Sequence, residues 1–202
     1  MAIKAEALTG GFTNVVLDSQ KIFKKLMDGM SRPGTVQTID PLANPPAPLA
    51  PSTGAVLLAL CDHDTPIWLS NAIRKTVVPS WIGFHTGAPT TEEKQDARFA
   101  IVEAGSSLPA LGAFAQGSQE YPDRSTTIII ELPDIDNGPE LALSGPGIRD
   151  KNLIRPSGLP EMFITLWAEN NGIFPRGVDI ILTSADHFIC LPRTTRIEPV
   201  EM

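Results

Sequence analysis

The chain has 202 residues, of which 42% are hydrophobic and 19% are charged, and its formal net charge at pH 7 is −7. This is the composition of a folded globular protein, so it excludes a chain that is disordered throughout. The acidic balance argues against a nucleic-acid surface, which needs an excess of Lys and Arg on one face.

The first predicted helix lies in LDSQKIFKKLMDGMSRPG, residues 17–34, where two apolar stripes recur at i, i+4 spacing over about 14 residues. One stripe consists of Ile22, Leu26 and Met30, and the other consists of Phe23 and Met27. Asp18 is predicted to cap the first amides, and Pro33 to end the helix. GTVQTI then predicts a strand, and the proline-rich PLANPPAPLAPS predicts an extended connection.

The middle of the chain contains apolar segments of both kinds. Ser52 and Thr53 are predicted to cap a short buried helix, GAVLLALC, which is followed by a predicted strand, TPIWLS. No element is assigned to WIGFHT. RFAIVEA has the alternation of a strand, and the β-branched run STTIIIEL, residues 125–132, is typical of a strand covered on both faces.

The C-terminal third predicts a short strand, a helix and a hairpin. LALSGPGI is a strand that runs into a glycine loop, and GLPEMFITLWAENNG is a helix with Pro160 in its first turn and Gly172 at its end. VDIILTSADHFICLPRT predicts a hairpin. Together the elements predict one α/β domain, residues 1–202, in which helices cover both sides of a mixed sheet.

Cysteine usage and the N-terminus predict the compartment. Cys61 and Cys190 are the only two cysteines, and MAIKAEALTGGF lacks the apolar stretch of a signal peptide. No apolar run approaches the roughly 20 residues that cross a bilayer. We therefore expect a cytoplasmic protein without a membrane span, with both thiols in the core.

The common catalytic motifs are missing from the sequence. CDHD at 61–64 contains metal-ligand residue types, but adjacent residues cannot all face one ion, and neither His85 nor His187 adds a recognisable zinc spacing. A polar helix end is the better interpretation. The sequence contains no G-x-S-x-G elbow, no Walker loop and no complete G-x-G-x-x-G fingerprint. We therefore assign no catalytic residue and no metal ligand.

The segment LSGPGIR, residues 143–149, leaves two interpretations open. Ser144, Gly145 and Gly147 could cradle an anion, because glycine adopts positive φ and consecutive N–H groups can point at a phosphate. The same residues suit a tight turn, in which the glycines only supply unusual dihedral angles.

Arginines recur in loops that Pro and Gly make rigid. Such an arginine can bind a phosphate or carboxylate with two parallel hydrogen bonds. It can equally pair with one of the many Asp and Glu residues, or bind a neighbouring subunit. The arginines in these surroundings are Arg32, Arg124, Arg149, Arg176, Arg193 and Arg196.

Eight segments taken in order resemble the PhnH family, a subunit of the carbon–phosphorus lyase system. The resemblance runs from about Gly10 to about Glu198 and thus concerns the entire domain. The segments are GGF, MSRPG, DTPIWLS, FHTGAP, YPDRST, LSGPGI, FPRGVDIIL and LPRTTRI.

The resemblance implies a cytoplasmic protein of bacterial phosphonate catabolism. PhnH proteins form homodimers and join the PhnG, PhnI and PhnJ subunits in a complex that transfers a phosphonate onto the ribose of a nucleoside triphosphate, displacing the base. The implied fold is a three-layer α/β/α sandwich with a mixed sheet, similar to the large domain of pyridoxal-phosphate (PLP)-dependent transferases but without that cofactor.

The lysines and cysteines of the sequence agree with a chain that holds no cofactor. A PLP enzyme needs a Schiff-base lysine on a rigid turn, and none of the lysines suits this role, although Lys151 comes nearest to it. Two distant cysteines cannot hold an iron–sulfur cluster, which takes three or four thiolates. We therefore expect no cofactor.

Three functional hypotheses follow. The leading one is a non-catalytic but required subunit of an enzyme complex, and its rivals are a free-standing enzyme or binding protein for a phosphorylated small molecule and a scaffold without a ligand. We expect a homodimer that covers aromatic loop residues such as Trp68, Trp81 and Phe84. We also expect Arg193, with Thr195 beside it, to meet the Ser144–Gly147 loop at an anion-sized site.

Overall fold

The computed structural model describes residues 5–40 and 43–200. The α-helices of this part of the chain are α1 (Val15–Ser31), α2 (Pro51–Leu60), α3 (Asn71–Arg74), α4 (Val78–Thr86) and α5 (Phe163–Gly172). Short 3₁₀ helices span Ala5–Leu8, Lys94–Asp96, Leu111–Ala113 and Pro122–Arg124.

The strands form two sheets. The strands of the described residues are β1 (Gln37–Thr38), β2 (Ile67–Leu69), β3 (Thr90–Thr91), β4 (Phe99–Val102), β5 (Thr127–Glu131), β6 (Leu141–Ser144), β7 (Asn152–Ile154), β8 (Asp179–Ser184), β9 (His187–Leu191) and β10 (Arg196–Pro199). The large sheet has the order β1-β9-β8-β5-β4-β2-β3, and the small one has the order β10-β6-β7.

The large sheet is mixed, as predicted. β8, β5, β4, β2 and β3 run parallel to one another, while β9 is antiparallel to both β8 and β1. The isoleucines of β5 alternate between its faces and are all buried, so this strand is covered on both sides. The predicted hairpin is β8–β9.

The two faces of the large sheet are covered differently. On one face α1, α2 and α4 pack against Ile101, Ile129 and Ile181. On the other face α5 and the small antiparallel sheet pack against Ile128 and Ile180. The expectation that helices cover both sides is correct for the first face and incomplete for the second, because β6, β7 and β10 share that face with α5.

Several predicted helix starts are wrong, because the caps come from other residues. α1 is capped by the Asn14 side chain, which accepts the Leu17 N–H at 3.1 Å, while the Asp18 carboxylate accepts the N–H of Asn14. α2 begins after Ala50, so Ser52 and Thr53 lie inside it, fully buried. α5 begins at Phe163, so Pro160 precedes the helix and accepts the Phe163 N–H with its carbonyl.

WIGFHT, which received no assignment, belongs to α4. The sequence signals were Pro79 in the first turn and Gly87 at the C-cap, where φ is +76°. Strands β3, β7 and β10, which have two to four residues each, were also missed. The PLANPPAPLAPS connection is confirmed over residues 43–50; residues 41 and 42 lie outside the described residues.

The aromatic residues that a dimer was expected to cover are mostly buried within the chain itself. Trp68 lies in β2 and Trp81 in α4, and both are buried within the single chain. The Trp81 indole N–H donates to the Thr9 carbonyl at 2.8 Å. Of the three aromatic residues named for the dimer, Phe84 alone is uncovered, with 54% of its surface exposed.

Candidate functional site where the motif loops meet

The loops of the sequence motifs lie at one edge of the large sheet. SRPG precedes β1, DTP precedes β2, YPDRST precedes β5 and FPRG precedes β8, so these loops lie at the amino ends of strands that share one direction. LPRTT follows the antiparallel strand β9, which ends at the same edge. The loops of the neighbouring strands β1, β9, β8 and β5 therefore form one contiguous region, from which β4 separates the DTP loop.

The glycine loop after β6 packs against two other motif loops. Gly147 has φ of +82°, and a Cβ atom there would lie 2.2 Å from the Ser31 carbonyl oxygen of SRPG. Gly145 has φ of +128°, and its Cβ would lie 2.9 Å from the Thr194 carbonyl oxygen of LPRTT. These glycines permit close backbone contact with carbonyl oxygens, whose partial negative charge disfavours an anion on that side.

Arg193 is an internal cross-link between three motif loops. Its Nε donates to Asp179 Oδ1 at 3.1 Å, and its Nη2 donates to Asp179 Oδ2 and to Ser125 Oγ. Its Nη1 donates to the Pro122 and Pro175 carbonyls at 2.7 and 3.5 Å. All five guanidinium N–H groups thus have acceptors within the chain.

The structure therefore does not bring the Arg193 side chain to the glycine loop. The Thr194 carbonyl meets that loop, whereas the Arg193 guanidinium binds Pro122 and Ser125; the Arg193 side chain is only 13% exposed, and its donors are occupied. The predicted rigid turn is confirmed, because the Thr195 N–H donates to the Pro192 carbonyl. Thr195 itself is buried.

The remaining arginines of the motif loops are all exposed. Arg32 forms an ion pair with Asp28 at 3.5 Å, as expected for an arginine in an acidic protein. Arg124 is exposed and lies over the Tyr121 ring, 4.1 Å from its centroid. Arg176 and Arg196 are also exposed. Ser144 pairs with Arg196 across β6 and β10, so the glycine loop lies beside an exposed arginine other than Arg193.

Phe174 lies between two grooves in this region. One groove, of about 260 Å³, is lined by Pro146, Asn171, Thr194 and Arg196. The other, of about 340 Å³, runs along the loops that Arg193 cross-links, including Pro122 and Asp123. Both grooves include Phe174, whose side chain is 60% exposed.

The opposite, carboxyl edge of the sheet carries buried polar residues that the sequence interpretation missed. In α/β sheets, ligands bind at this edge between two neighbouring strands whose following connections go to opposite sides of the sheet. Here that point lies between β2 and β4, since the helices after β2 pack on one face and the segment after β4 packs on the other. The Ser70 hydroxyl, after β2, donates to the Glu103 carboxylate, after β4, which also accepts from Ser106.

A second buried carboxylate ends β5. Glu131 Oε1 accepts the Ala50 N–H at 2.7 Å and thereby caps α2. Burial raises the pKa of the Glu131 carboxyl, hydrogen bonds from Thr53 and Ala50 lower it, and the nearby Glu103 raises it further, so the net shift is upward. The signal available for both glutamates was a single acidic residue near the end of a predicted strand, RFAIVEA for Glu103 and STTIIIEL for Glu131.

Glu131→Gln is expected to stabilise the protein at about pH 8 and to lose this advantage towards about pH 4. The raised folded-state pKa means that stability falls as pH rises from the ordinary glutamate value through the folded one. Gln retains a carbonyl acceptor for the Ala50 N–H and carries no charge. Thermal unfolding at both pH values measures the difference, and a variant less stable than wild type at the higher pH would contradict this account.

The cysteines and the CDHD segment have structural roles. Burial raises the pKa of the Cys61 and Cys190 thiols to about 12, so both are neutral core residues at pH 7, as predicted. Asp62 to Thr65 form a hydrogen-bonded turn after α2, which confirms the polar helix end. Within residues 5–40 and 43–200, no three His, Cys, Asp or Glu side chains group as a metal site.

Comparison with known proteins decides the family. Residues 10–198 match the family described as "Bacterial phosphonate metabolism protein (PhnH)". The chain belongs to the PhnH family. A Rhizobium meliloti (strain 1021) protein named "Alpha-D-ribose 1-methylphosphonate 5-triphosphate synthase subunit PhnH" is 48% identical over 198 residues, which cover 98% of this chain and 99% of the relative.

A second relative matches part of the chain. The "Putative C-P lyase subunit protein HtxG" of Stutzerimonas stutzeri is 38% identical over 81 residues, covering 40% of this chain and 42% of its own length. The matched family range agrees with the predicted resemblance from Gly10 to Glu198. In the described part of this PhnH-family chain, no helix is long and apolar enough to span a membrane.

Proposed function

We propose that the chain is an accessory, non-catalytic subunit of the carbon–phosphorus lyase core complex. This complex acts in phosphonate catabolism and forms a ribose 1-phosphonate triphosphate from a nucleoside triphosphate and a phosphonate. The proposal is supported by the full-length relative, whose name makes it a subunit of a synthase of alpha-D-ribose 1-methylphosphonate 5-triphosphate.

The position of the motif loops supports the non-catalytic role. They lie at the amino edge of the parallel strands, away from the carboxyl edge at which α/β sheets bind their ligands. The motif residues also contact one another: Gly147 packs on Ser31 and Arg193 binds Asp179. A required surface accounts for such loops without a catalytic residue.

The proposal includes the partners and the location that the family resemblance implies. These are a homodimer, the PhnG, PhnI and PhnJ subunits, and the bacterial cytoplasm. It also includes the finer fold assignment, a three-layer α/β/α sandwich similar to the large domain of PLP-dependent transferases without the cofactor. The five parallel strands, with α1, α2 and α4 on one face and α5 on the other, support that assignment.

The rival function is a free-standing enzyme or binding protein for a phosphorylated small molecule. The exposed guanidinium groups of Arg124 and Arg176 favour it, since an exposed guanidinium can bind a phosphate with two parallel hydrogen bonds. The test is to incubate the isolated chain with a nucleoside triphosphate and methylphosphonate and to follow base release. Our proposal predicts no turnover, and turnover by the isolated chain would favour the rival.

An uncovered apolar face of α1 supports the homodimer. Val16, Phe23 and Met27 share one side of the helix, and all three are exposed. With uncharged Gln20 as the fourth position, the stripe advances in steps of four, three and four residues, as in a helix–helix seam. Two copies related by a twofold axis could pack antiparallel along this neutral stripe without opposing like charges.

Phe23→Glu is expected to raise the dimer dissociation constant by about tenfold or more, because each copy would contribute a charge to the buried seam. Sedimentation velocity over a concentration series measures this. Met162→Glu, at an exposed apolar position outside α1, is the control and should leave the dimer intact. A monomeric wild-type protein at micromolar concentration would contradict the homodimer.

A further inference from the structure

We propose that the surface around Phe174 is the docking site for an acidic protein partner, a subunit of the complex. This Phe174 surface consists of Tyr121, Arg124, Phe174, Arg176 and Arg196. The inference rests on the proposed function, because it names the part of the chain that contacts the rest of the complex.

The composition of the Phe174 surface is that of an interface core. Phe174 and Tyr121 are both more than half exposed, and the Arg124 guanidinium stacks on the Tyr121 ring. Aromatic residues and arginine are enriched at protein interfaces and supply most binding hot spots. The groove on either side of Phe174 leaves its ring prominent, so it can enter a pocket of the partner.

The loops that carry this surface are held rigidly from behind. The Arg193 guanidinium binds the Pro122 carbonyl of one loop and the Pro175 carbonyl of the other, while its backbone N–H donates to Asp179 at 2.8 Å. A surface that is fixed before binding loses little conformational entropy on association. Arg193 therefore positions the surface and does not contact the partner itself.

Charge selects the kind of partner. The chain as a whole carries −7, yet this surface places three exposed arginines beside two exposed carboxylates, those of Glu120 and Asp123. Glu198, which follows Arg196 on β10, is paired with Lys151 at 3.8 Å. A second copy is a poor occupant, because a twofold interface would set the same arginines against each other. An acidic protein surface with an apolar pocket complements both the guanidinium groups and the Phe174 ring.

The experiment replaces the gene in its own host by an affinity-tagged version and measures the subunits that co-purify per tagged chain at increasing NaCl. Phe174→Ala and Arg176→Glu should each lower the co-purified amount at least tenfold, and wild-type binding should weaken with salt. Phe84→Ala and Lys75→Glu, exposed positions away from this surface, should stay within twofold of wild type. Melting temperatures of all variants should match that of wild type.

If both Phe174→Ala and Arg176→Glu co-purify the subunits in unchanged amounts, the proposed docking surface is wrong. The proposed function is unaffected in that case, because the wild-type chain still recovers the complex. Loss of the dimer without loss of the complex assigns the surface to a second copy and also overturns the proposal. The proposal is also overturned if the isolated chain binds inorganic triphosphate and Arg176→Glu abolishes this binding without changing assembly of the complex. If the wild-type chain recovers no partner at all, both the surface and the proposed function are wrong.

Discussion

Arg193→Ala is expected to lower the free energy of unfolding by about 3 kcal/mol. The substitution leaves the Asp179 carboxylate without its cation and removes the donors to Ser125 and to the Pro122 and Pro175 carbonyls. An uncompensated, largely buried carboxylate is costly, and the unpaired carbonyls add to the loss. Urea unfolding followed by circular dichroism measures the change.

Arg176→Ala is the matched control, because Arg176 lies on a neighbouring motif loop but is exposed. Its effect on stability should be within about 0.5 kcal/mol. Arg193→Lys should recover only part of the loss, since an ammonium group cannot reach acceptors on three loops in the planar geometry of a guanidinium. If Arg193→Ala unfolds at the same urea concentration as Arg176→Ala, the cross-link has no structural role.

Gly147→Ala is expected to destabilise the protein by about 2–4 kcal/mol. Its φ of +82° is unfavourable for alanine, and the added Cβ would lie 2.2 Å from the Ser31 carbonyl oxygen and 2.9 Å from the Pro33 ring. The backbone of the glycine loop or of SRPG must therefore move. Thermal and urea unfolding of the purified variant measure the loss.

Gly172→Ala provides the comparison. Gly172 ends α5, its φ is outside the left-handed region, and a Cβ there would meet no atom within 4 Å. Alanine at this position should be neutral or slightly stabilising. Equal stability of the Gly147 and Gly172 variants would show that the glycine loop does not require close packing on SRPG.

The periodic elements of this fold were predictable because their signal is local. The stripe of Ile22 and Leu26 faces the core as expected, and the β-branched run of β5 is covered on both faces. The start of α2 was not predictable, since its cap is Glu131, which lies 81 residues away in sequence. The small sheet was missed because β7 and β10 are short and gain their stability by pairing with β6.

The sequence identified the motif loops but not the direction of their side chains. Pro192 correctly predicted a rigid turn, yet within that turn it is the Thr194 carbonyl that meets the glycine loop, while the Arg193 side chain binds Ser125 and Asp179. Asp179, the partner of Arg193, lies on β8, so the ion pair depends on strand pairing that one sequence does not show. Of the predicted anion-site residues, Arg124 and Arg176 lie at the surface, and their role as ligand or partner contacts is a proposal.

The most direct test of a non-catalytic subunit is affinity purification of the tagged wild-type chain from cells grown with methylphosphonate as the phosphorus source. Our account predicts a stable heteromeric complex that releases base from a nucleoside triphosphate in the presence of methylphosphonate, while the chain purified alone does not. Recovery of the chain without partners, or turnover by the chain alone, would contradict it.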